Sequence, residues 1–401
     1  MPNCSASAAS SSSDLYGMAV LNACEIIMER LKKFFQHVWV RRVLIALCTA
    51  LLLVGTSCVV FHQGPYEEPQ SLPPAKILDV HVHTAGVGAG NSGCFVSDAM
   101  RSSFKFGIYL KSFWTTRKEL EEKGDAFIIE KISHRLAESE KVGGAIILAL
   151  DGAVDENGEL DRKLTEVHVP NEFLAAETAK YTNLFWGASI NPKRKDSLER
   201  LAWAHTNGAR LVKWIPSIML FDPSDESIKP FYEKLIEYDL PLLTHAGQER
   251  SFTNAKDELC DPQRLHLPLE MGVTVVVAHI ASTGTNEGER DTDRLARMMN
   301  QYTNLYSEIS SLTQINKSSY LRESIQRAEW QGRLVYGSDF PLINTALVSP
   351  HYFPLRLTLK ERRRIAAIEN PWDQDVALKQ ALGVPADVFA RSEEIFGERR
   401  N

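Results

Sequence analysis

The sequence predicts an α/β fold of the (β/α)8 TIM-barrel class, preceded by a single N-terminal transmembrane helix. Three observations predict it: eight short apolar runs alternate with amphipathic segments, histidines or an aspartate end four of those runs, and a long uncharged stretch stands ahead of them all. With 401 residues and 44% hydrophobic content, the chain can bury a substantial core.

The eight apolar runs are nearly continuous, as expected of parallel strands buried on both faces. They span residues 76–83, 144–151, 183–190, 209–214, 240–245, 273–280, 303–309 and 333–339. Segments with helical periodicity lie between them, at 119–140, 172–180, 197–206, 227–238, 262–271, 291–299 and 320–331. This alternation is the layout of a barrel, and helices within 359–396 are expected to close it. A doubly wound sheet, the rival fold, would want a Gly-rich phosphate turn after the first strand, and His83-Thr84-Ala85-Gly86 is not one.

The first part of the chain is expected to anchor the barrel to a membrane. Residues 1–27 are rich in Ser and Ala and are predicted to be disordered, and residues 28–42 are basic. Residues 43–61 carry no charge and approach the roughly 20 residues that a spanning helix needs. Residues 62–74 form a Pro-rich linker, and residues 75–401 form the catalytic domain.

Basic residues before the span place the N-terminus inside. The catalytic domain is therefore expected on the periplasmic or extracytoplasmic side of a single-pass protein. A cleaved secretory signal, or a lipoprotein modified at Cys58, is the alternative, and translation from Met18 or Met28 would remove little.

The composition limits the classes of partner that are expected to bind this chain. A formal net charge of -6 offers no strongly basic surface, so nucleic acid is not an expected partner. None of the six cysteines forms a CxxC pair, which argues against structural zinc. Only Cys94 and Cys260 follow residue 75, and a disulfide between them is possible in an oxidising compartment.

The first strand ends by presenting two histidines, His81 and His83. Strand side chains alternate, so Asp79 is expected on the same face as both, with same-face neighbours about 6.6 Å apart. Both imidazoles could then reach one metal ion. A lone His-x-His is as often a pair of core or surface residues, so partners elsewhere must decide.

Later strands end on similar residues: His245 on the fifth, His279 on the sixth and Asp339 on the eighth. In a barrel these ends converge on one cavity. Either histidine alone is best explained as a core residue, but together with His81 and His83 the five positions predict a shared site.

This order of residues resembles the amidohydrolase superfamily, and specifically its amidohydrolase-related family of TIM-barrel metal-dependent hydrolases. The resemblance spans nearly the whole chain after residue 75 and includes the phrases Asn191-Pro192, Lys213-Trp214-Ile215-Pro216, Thr244-His245-Ala246-Gly247 and Gly337-Ser338-Asp339-Phe340-Pro341. It implies that His81, His83 and His245 bind one divalent ion, zinc by preference, with Asp339 as a further ligand or hydrogen-bonded to its water. It also implies that His279 orients this water or polarises the scissile carbonyl.

The chemistry of these residue types agrees with the implied roles. Bound zinc lowers the pKa of its water to about 7, and Asp339 can carry a proton from that water to the leaving group. Asp79 is a candidate for fixing an imidazole tautomer, although a buried strand-start carboxylate explains it as well. Lys213 either bridges two metal ions after carboxylation, binds an anionic substrate, or sits in a buried ion pair. Glu249 and Glu308 are candidate substrate contacts, with structural pairing as the simpler explanation.

The expected function is hydrolysis of an ester, lactone or amide C=O of a small molecule by a metal-activated water. Two alternatives stay open. One is metal-dependent decarboxylation of an unsaturated or aromatic acid, because the resembled family includes decarboxylases. The other is an inactive membrane-anchored barrel that serves as a binding protein.

Overall fold

The computed structural model describes residues 23–33, 42 and 76–397. The chain divides into two compact units, residues 1–65 and 66–401. In the first, residues 23–33 form a helix with exposed side chains, so residues 23–27, predicted to be disordered, begin a helix instead. The second unit contains the barrel.

The predicted membrane location needs correction. Within the described ranges no helix is long and apolar enough to cross a membrane. The helix over 23–33 contains Glu25, Glu29, Arg30, Lys32 and Lys33. It extends only about 16 Å at 1.5 Å per residue, against roughly 30 Å of bilayer hydrocarbon. The predicted single-pass arrangement is overturned on this finding. The run 43–61 that suggested it lies outside the described residues, as does the linker 62–74.

Eight short strands carry the barrel, and we number them in chain order. They are β1 Ile77–His83, β2 Val142–Leu148, β3 Leu184–Gly187, β4 Val212–Trp214, β5 Leu242–His245, β6 Val275–Ala278, β7 Leu305–Glu308 and β8 Leu334–Val335. Each overlaps its predicted run but is shorter. The apolar run continues beyond the strand because the residues that follow the strand are also buried. Tyr336 to Phe340, which follow β8, are all buried, for example.

All neighbouring barrel strands are parallel. β1, β2 and β3 form one ladder, and β4 to β8 form a second, each in sequential order. Single parallel bridges close the ring, Ala188 with Val212 between β3 and β4, and Val82 with Phe340 between β8 and β1. The predicted (β/α)8 barrel is thereby confirmed, with all strand carboxyl ends at one rim.

Helices cover the outside of the barrel. They are α1 Ala126–Ala137, α2 Asn171–Thr178, α3 Ser197–Thr206, α4 Lys229–Glu237, α5 His266–Met271, α6 Asp291–Met299, α7 Ser318–Gln326, α8 Leu359–Ala366, α9 Pro371–Ala381 and α10 Ala386–Phe396. Helices α3 and α6 have the predicted bounds. α8 starts at a capping box in which Thr358 and Glu361 satisfy each other's main-chain N–H. α9 starts with Pro371, whose missing N–H costs nothing at the first helical position.

Long connections cover the rim. The one after β1 holds three further helices, Asp98–Ser102, Phe104–Ser112 and Arg117–Lys123, and a shorter helix, Pro216–Met219, follows β4. Strand Phe95–Val96 pairs antiparallel with Val167–His168 of the connection after β2. Beside that pair, Glu166 accepts hydrogen bonds from the main-chain N–H of Thr253 at 2.7 Å and Asn254 at 2.9 Å. Three connections are therefore tied together above the strand ends.

The barrel interior toward the amino ends of the strands is filled by an apolar layer. This layer consists of Leu78, Val80, Ile146, Leu148, Leu211, Leu243, Val276, Val335 and Phe396. On β5, for example, Leu243 of this layer precedes His245 by two residues. Phe396 comes from α10, which packs against β1 and β8 and closes this end of the barrel.

Cys94 and Cys260 are free thiols, both buried, so the disulfide left open by the sequence is not formed. Burial raises the pKa of each thiol to about 12. Both cysteines therefore act as small core residues.

Candidate active site

Four of the five predicted site residues meet at the rim. His81 Nε2 lies 3.0 Å from His83 Nε2. Asp339 Oδ1 lies 3.3 Å from His83 Nε2 and 3.8 Å from His81 Nε2. His279 Nε2 lies 3.9 Å from Asp339 Oδ2. Among them only His83 has appreciable exposure, with 26% of its side chain accessible.

His245 lies beside this group rather than inside it. Its ring centroid is 5.5 Å from that of His279, and its Nδ1 is 3.7 Å from Glu249 Oε2. Its Nε2 is buried and has no hydrogen-bond partner among the described residues. His245 is thus the one predicted ligand whose ring nitrogens lie outside the closest cluster.

Asp339 and His279 both occupy the left-handed region of backbone conformation, with φ of 62° and 55°. Such a conformation costs a residue other than glycine on the order of 1 kcal/mol or more. At Asp339 the chain is held in this conformation by main-chain hydrogen bonds to β1. Asp339 N donates to His81 O at 2.9 Å, and His83 N donates to Phe340 O at 2.7 Å.

A bulge in β1 decides which of its side chains reach the site. Asp79 pairs with Ala145 of β2, but the next paired residue of β1 is Val82, which pairs with Ile147. Between these two pairs β1 advances by three residues and β2 by only two. The extra residue in β1 breaks the alternation of its side chains. His81 reaches the site even though Val80, its neighbour, lies in the apolar layer.

Asp79 consequently does not share a face with His81 and His83, and that prediction is wrong. Its Oδ2 accepts a hydrogen bond from Trp372 Nε1 at 2.9 Å, and its Oδ1 accepts from the main-chain N of His81 at 3.1 Å and of Ser338 at 2.9 Å. Burial raises the pKa of Asp79 to about 6. Its contacts join β1, the segment after β8 and α9, so Asp79 supports the site through the backbone.

Glu308, the last residue of β7, contacts the imidazoles in place of Asp79. Its Oε1 lies 3.0 Å from His81 Nδ1 and 3.4 Å from His279 Nδ1, and the side chain is fully buried. The sequence singled it out only as a candidate substrate contact. The available signal was its position, because Glu308 ends β7 as His245 ends β5.

Two lysines interact with the charges of the cluster. Lys213 Nζ is 3.3 Å from His81 Nε2 and the residue is 1% exposed. Burial lowers the pKa of Lys213 to about 8 against the opposing charges of Glu308 and Asp339. Burial likewise lowers the pKa of Lys317, against the charges of Asp339 and Glu249. No described residue hydrogen-bonds the Lys317 ammonium. Lys317 was not predicted, because its polar connection after β7 carries no periodicity or motif.

The connections above the site contribute polar groups of their own. Glu249 Oε1 accepts a hydrogen bond from Ser251 N at 2.6 Å. Burial raises the pKa of Tyr109, a residue of the helix Phe104–Ser112 whose hydroxyl interacts with Ser251 and whose neighbours include Glu249 and Asp339. Tyr109 therefore brings the inserted helix next to the site.

The electrostatics suit metal binding. Burial alone would raise the pKa of Asp339, but His279 and the hydrogen bond with His83 hold it well below its usual range. Burial lowers the pKa of His81 and of His279, and the charge of a lysine adds to the effect in each case. Asp339 is then an anionic carboxylate, and His81 and His279 are neutral imidazoles, which are the protonation states that metal ligation requires.

The donor set also fits a divalent ion. His81, His83 and Asp339 place three ligand atoms within 4.8 Å of one another. Bonds of about 2.0–2.1 Å to one ion separate adjacent ligand atoms by about 3.0–3.5 Å, which is the spacing from His83 Nε2 to its two neighbours. The buried, unpartnered His245 Nε2 is a further nitrogen available for ligation.

Comparison with known proteins identifies a family. The family model described as Amidohydrolase matches residues 79–367, and so spans every predicted site residue. Curated proteins give no match. An uncharacterised TIM-barrel protein from Bordetella bronchiseptica is 14% identical, over 81% of this chain and 100% of that one, with a TM-score of 0.49.

Two further solved structures are similar at comparable levels. A probable 2-pyrone-4,6-dicarboxylic acid hydrolase from Acinetobacter baumannii with citric acid bound is 13% identical over 81% of this chain and 100% of that one, with a TM-score of 0.47. A 5-carboxyvanillate decarboxylase from Novosphingobium aromaticivorans with bound manganese is 12% identical over 80% and 97%, with a TM-score of 0.42. The family match covers well over half of this chain. The chain therefore belongs to the amidohydrolase family of metal-dependent barrel enzymes.

Proposed function

We propose that residues 75–401 form a metal-dependent hydrolase that cleaves an ester, lactone or amide bond of a small, negatively charged molecule. The observation that supports it most directly is the contact of an anionic Asp339 with His83 and His279, beside His81 and Lys213. The proton acceptor Asp339 and the cationic group of Lys213 lie 3.8 Å and 3.3 Å from the same nitrogen, His81 Nε2.

His81, His83 and Asp339 are the proposed ligands of one divalent ion, with His245 as the fourth. Zinc is the proposed ion, because it favours few ligands and imidazole nitrogen. Such an ion, when bound, would polarise a substrate carbonyl and lower the pKa of a water molecule.

Asp339 is the proposed proton carrier. Its Oδ2 accepts a hydrogen bond from the Ser311 hydroxyl, which in turn accepts one from Gln314 Nε2 at 2.8 Å. These contacts fix the carboxylate plane. Asp339 accepts a proton from the attacking water and returns it to the leaving group, a transfer that requires a positioned carboxylate.

Lys213 and Lys317 are the proposed contacts for the negative charge of the substrate. Lys213 supports this role best, because its buried ammonium lies 3.3 Å from His81 Nε2. Lys317 is included because the charges of Asp339 and Glu249 act on its ammonium. The bridging role for Lys213 would require a second metal ion, so the metal content per chain distinguishes the two roles.

Decarboxylation of an unsaturated or aromatic acid is the alternative reaction, since the same two lysines would hold a carboxylate next to the metal ligands. The test incubates the full chain with matched panels of charged esters, lactones and amides, and of unsaturated and aromatic acids. We expect near-stoichiometric zinc and hydrolysis without CO2 release. CO2 release from the acids alone would favour the decarboxylase, and a chain that binds no divalent ion would overturn both.

A further inference from the structure

Glu308 has more hydrogen-bond donors around it than a carboxylate in a simple ion pair. Oε1 receives the main-chain N–H of His279 at 3.0 Å and the hydroxyl of Ser310 at 2.8 Å, and Oε2 receives the main-chain N–H of Ser310 at 2.5 Å. Because each oxygen faces a main-chain N–H, neither is placed to donate a hydrogen bond. Glu308 therefore offers only acceptors to the groups around it.

His81 meets this acceptor with Nδ1. Its Nδ1 lies 3.0 Å from Glu308 Oε1, so Nδ1 must carry the ring proton. The other side of the ring agrees, because Lys213 Nζ lies 3.3 Å from His81 Nε2 and an ammonium group can only donate. A neutral His81 thus presents an unprotonated Nε2 toward His83 and Asp339.

His279 is set by Ser310 in the same way. Its Nδ1 lies 3.2 Å from the carbonyl oxygen of Ser310 and 2.7 Å from the Ser310 hydroxyl oxygen. The carbonyl can only accept, and the hydroxyl hydrogen is already donated to Glu308. The opposite arrangement, with the proton on Nε2, would leave acceptors facing each other at both contacts.

We propose that Glu308, acting with Ser310, is a positioning residue that keeps the ring protons of His81 and His279 on Nδ1, so that both imidazoles present an unprotonated Nε2 to the site. For His81 this leaves the nitrogen that faces the cluster free to bind a metal ion. For His279 it decides between the two roles that the family resemblance implies, which are orienting the water and polarising the scissile carbonyl. A neutral His279 with this tautomer accepts a hydrogen bond from water and cannot donate one to a substrate carbonyl.

The same residues could suggest instead that Glu308 is itself a metal ligand, since His81, His279 and Glu308 also place three possible ligand atoms close together. The donors argue against this. The main-chain N–H groups of His279 and Ser310 point at the two carboxylate oxygens, and they would repel a cation bound there. The inference rests on the proposed function only for the metal role of His81, because the tautomers can be measured separately.

The test is nitrogen NMR of the full chain labelled with 15N in histidine, before and after addition of Zn2+, with signals assigned through His81→Gln and His279→Gln. In the metal-free protein we expect both residues to carry the proton on Nδ1, the less common tautomer of free imidazole side chains. In Glu308→Ala we expect at least His81 to move to the Nε2–H tautomer and zinc affinity to fall about 10- to 100-fold.

Ser307→Ala is the matched control, because Ser307 precedes Glu308 on β7 and its buried hydroxyl donates to the carbonyl oxygen of Val277 at 2.6 Å rather than to an imidazole. It retains Glu308 and Ser310, so both tautomers should persist and zinc affinity should change little. An Nε2–H tautomer of His81 or His279 in the wild type would overturn the inference, even if Glu308→Ala does not fold. So would a folded Glu308→Ala with both protons still on Nδ1. If both tautomers are as stated but zinc does not bind, this inference is supported and the proposed function fails.

Discussion

The two ends of the barrel interior differ although the same strands build both. Toward the amino ends, the apolar layer consists of side chains in regular alternation, with Leu243 and Val276 fully buried. At the rim, the same strands end in buried imidazoles and carboxylates, with a bulge in β1 and left-handed residues after β6 and β8. The apolar layer therefore stabilises the fold, whereas the rim holds polar groups in place and lowers the stability by doing so.

The largest expected effect comes from removing two of the proposed metal ligands at the rim. His81→Ala combined with His83→Ala should abolish zinc binding and lower activity by at least about 10³-fold, which corresponds to roughly 4 kcal/mol of lost transition-state stabilisation. The apolar layer does not involve these side chains, so circular dichroism and thermal unfolding should show a folded barrel. Retained zinc in the folded double variant would contradict the division into a metal-binding rim and a stabilising apolar layer.

The converse change is Leu243→Ala in the apolar layer. Truncating a fully buried leucine costs about 2–5 kcal/mol of unfolding free energy, which denaturant titration measures directly. Zinc content of the folded variant should match that of the wild type. If metal is lost while the fold is intact, the two ends of the barrel are not separable.

Asp291 tests whether a buried carboxylate away from the candidate metal site destabilises the folded protein. It is fully buried at the start of α6, its Oδ1 accepts from Asn286 Nδ2 at 2.9 Å, and its Oδ2 has no described partner. Burial raises its pKa from 3.8 to about 6. The folded state therefore binds the proton more tightly than the unfolded state, and stability is lost as pH rises through 6.

Asp291→Asn should remove this loss. The variant should match the wild type below pH 4 and exceed it above pH 7 by up to about 3 kcal/mol, at 1.36 kcal/mol per pKa unit. Unfolding curves across this pH range provide the measurement. A stability difference that does not depend on pH would show that packing, rather than charge, determines the effect.

Lys317→Met should give the smallest change. Loss of one charge-assisted hydrogen bond costs about 1.5–3 kcal/mol, so KM for a charged substrate should rise about 10-fold or more. An uncharged analogue should be unaffected. Lys118→Met is the matched control, because the Lys118 side chain is 84% exposed. Equal effects on charged and uncharged substrates would exclude the proposed contact.

The parts of the structure that follow from local pattern could be predicted from the sequence. Apolar runs gave all eight strands, and the residues that end them gave His81, His83, His279 and Asp339 as neighbours. Asp79 was misplaced because a one-residue bulge reverses side-chain direction and depends on pairing with β2.

The other missed residues depend on tertiary contacts. In the sequence Glu308 is an ordinary strand-end carboxylate, and its role depends on the contacts with His81 and His279, which are distant along the chain. The residues next to Lys317 in the sequence carry no pattern that indicates a place near the site. The membrane prediction rested on the length of the uncharged run 43–61 and on the basic residues before it. The described helix that precedes that run, over 23–33, is short and charged.

The left-handed backbone at His279 and Asp339, two residues of the proposed site, places selection for stability and selection for the proposed activity in opposition at the same two positions. Glycine adopts this conformation without strain, so mutation of either residue to glycine would relax the backbone while removing the functional side chain. A lineage that no longer needed the reaction would be expected to lose these two residues early, and engineering that ranks variants by stability alone would erase the site first.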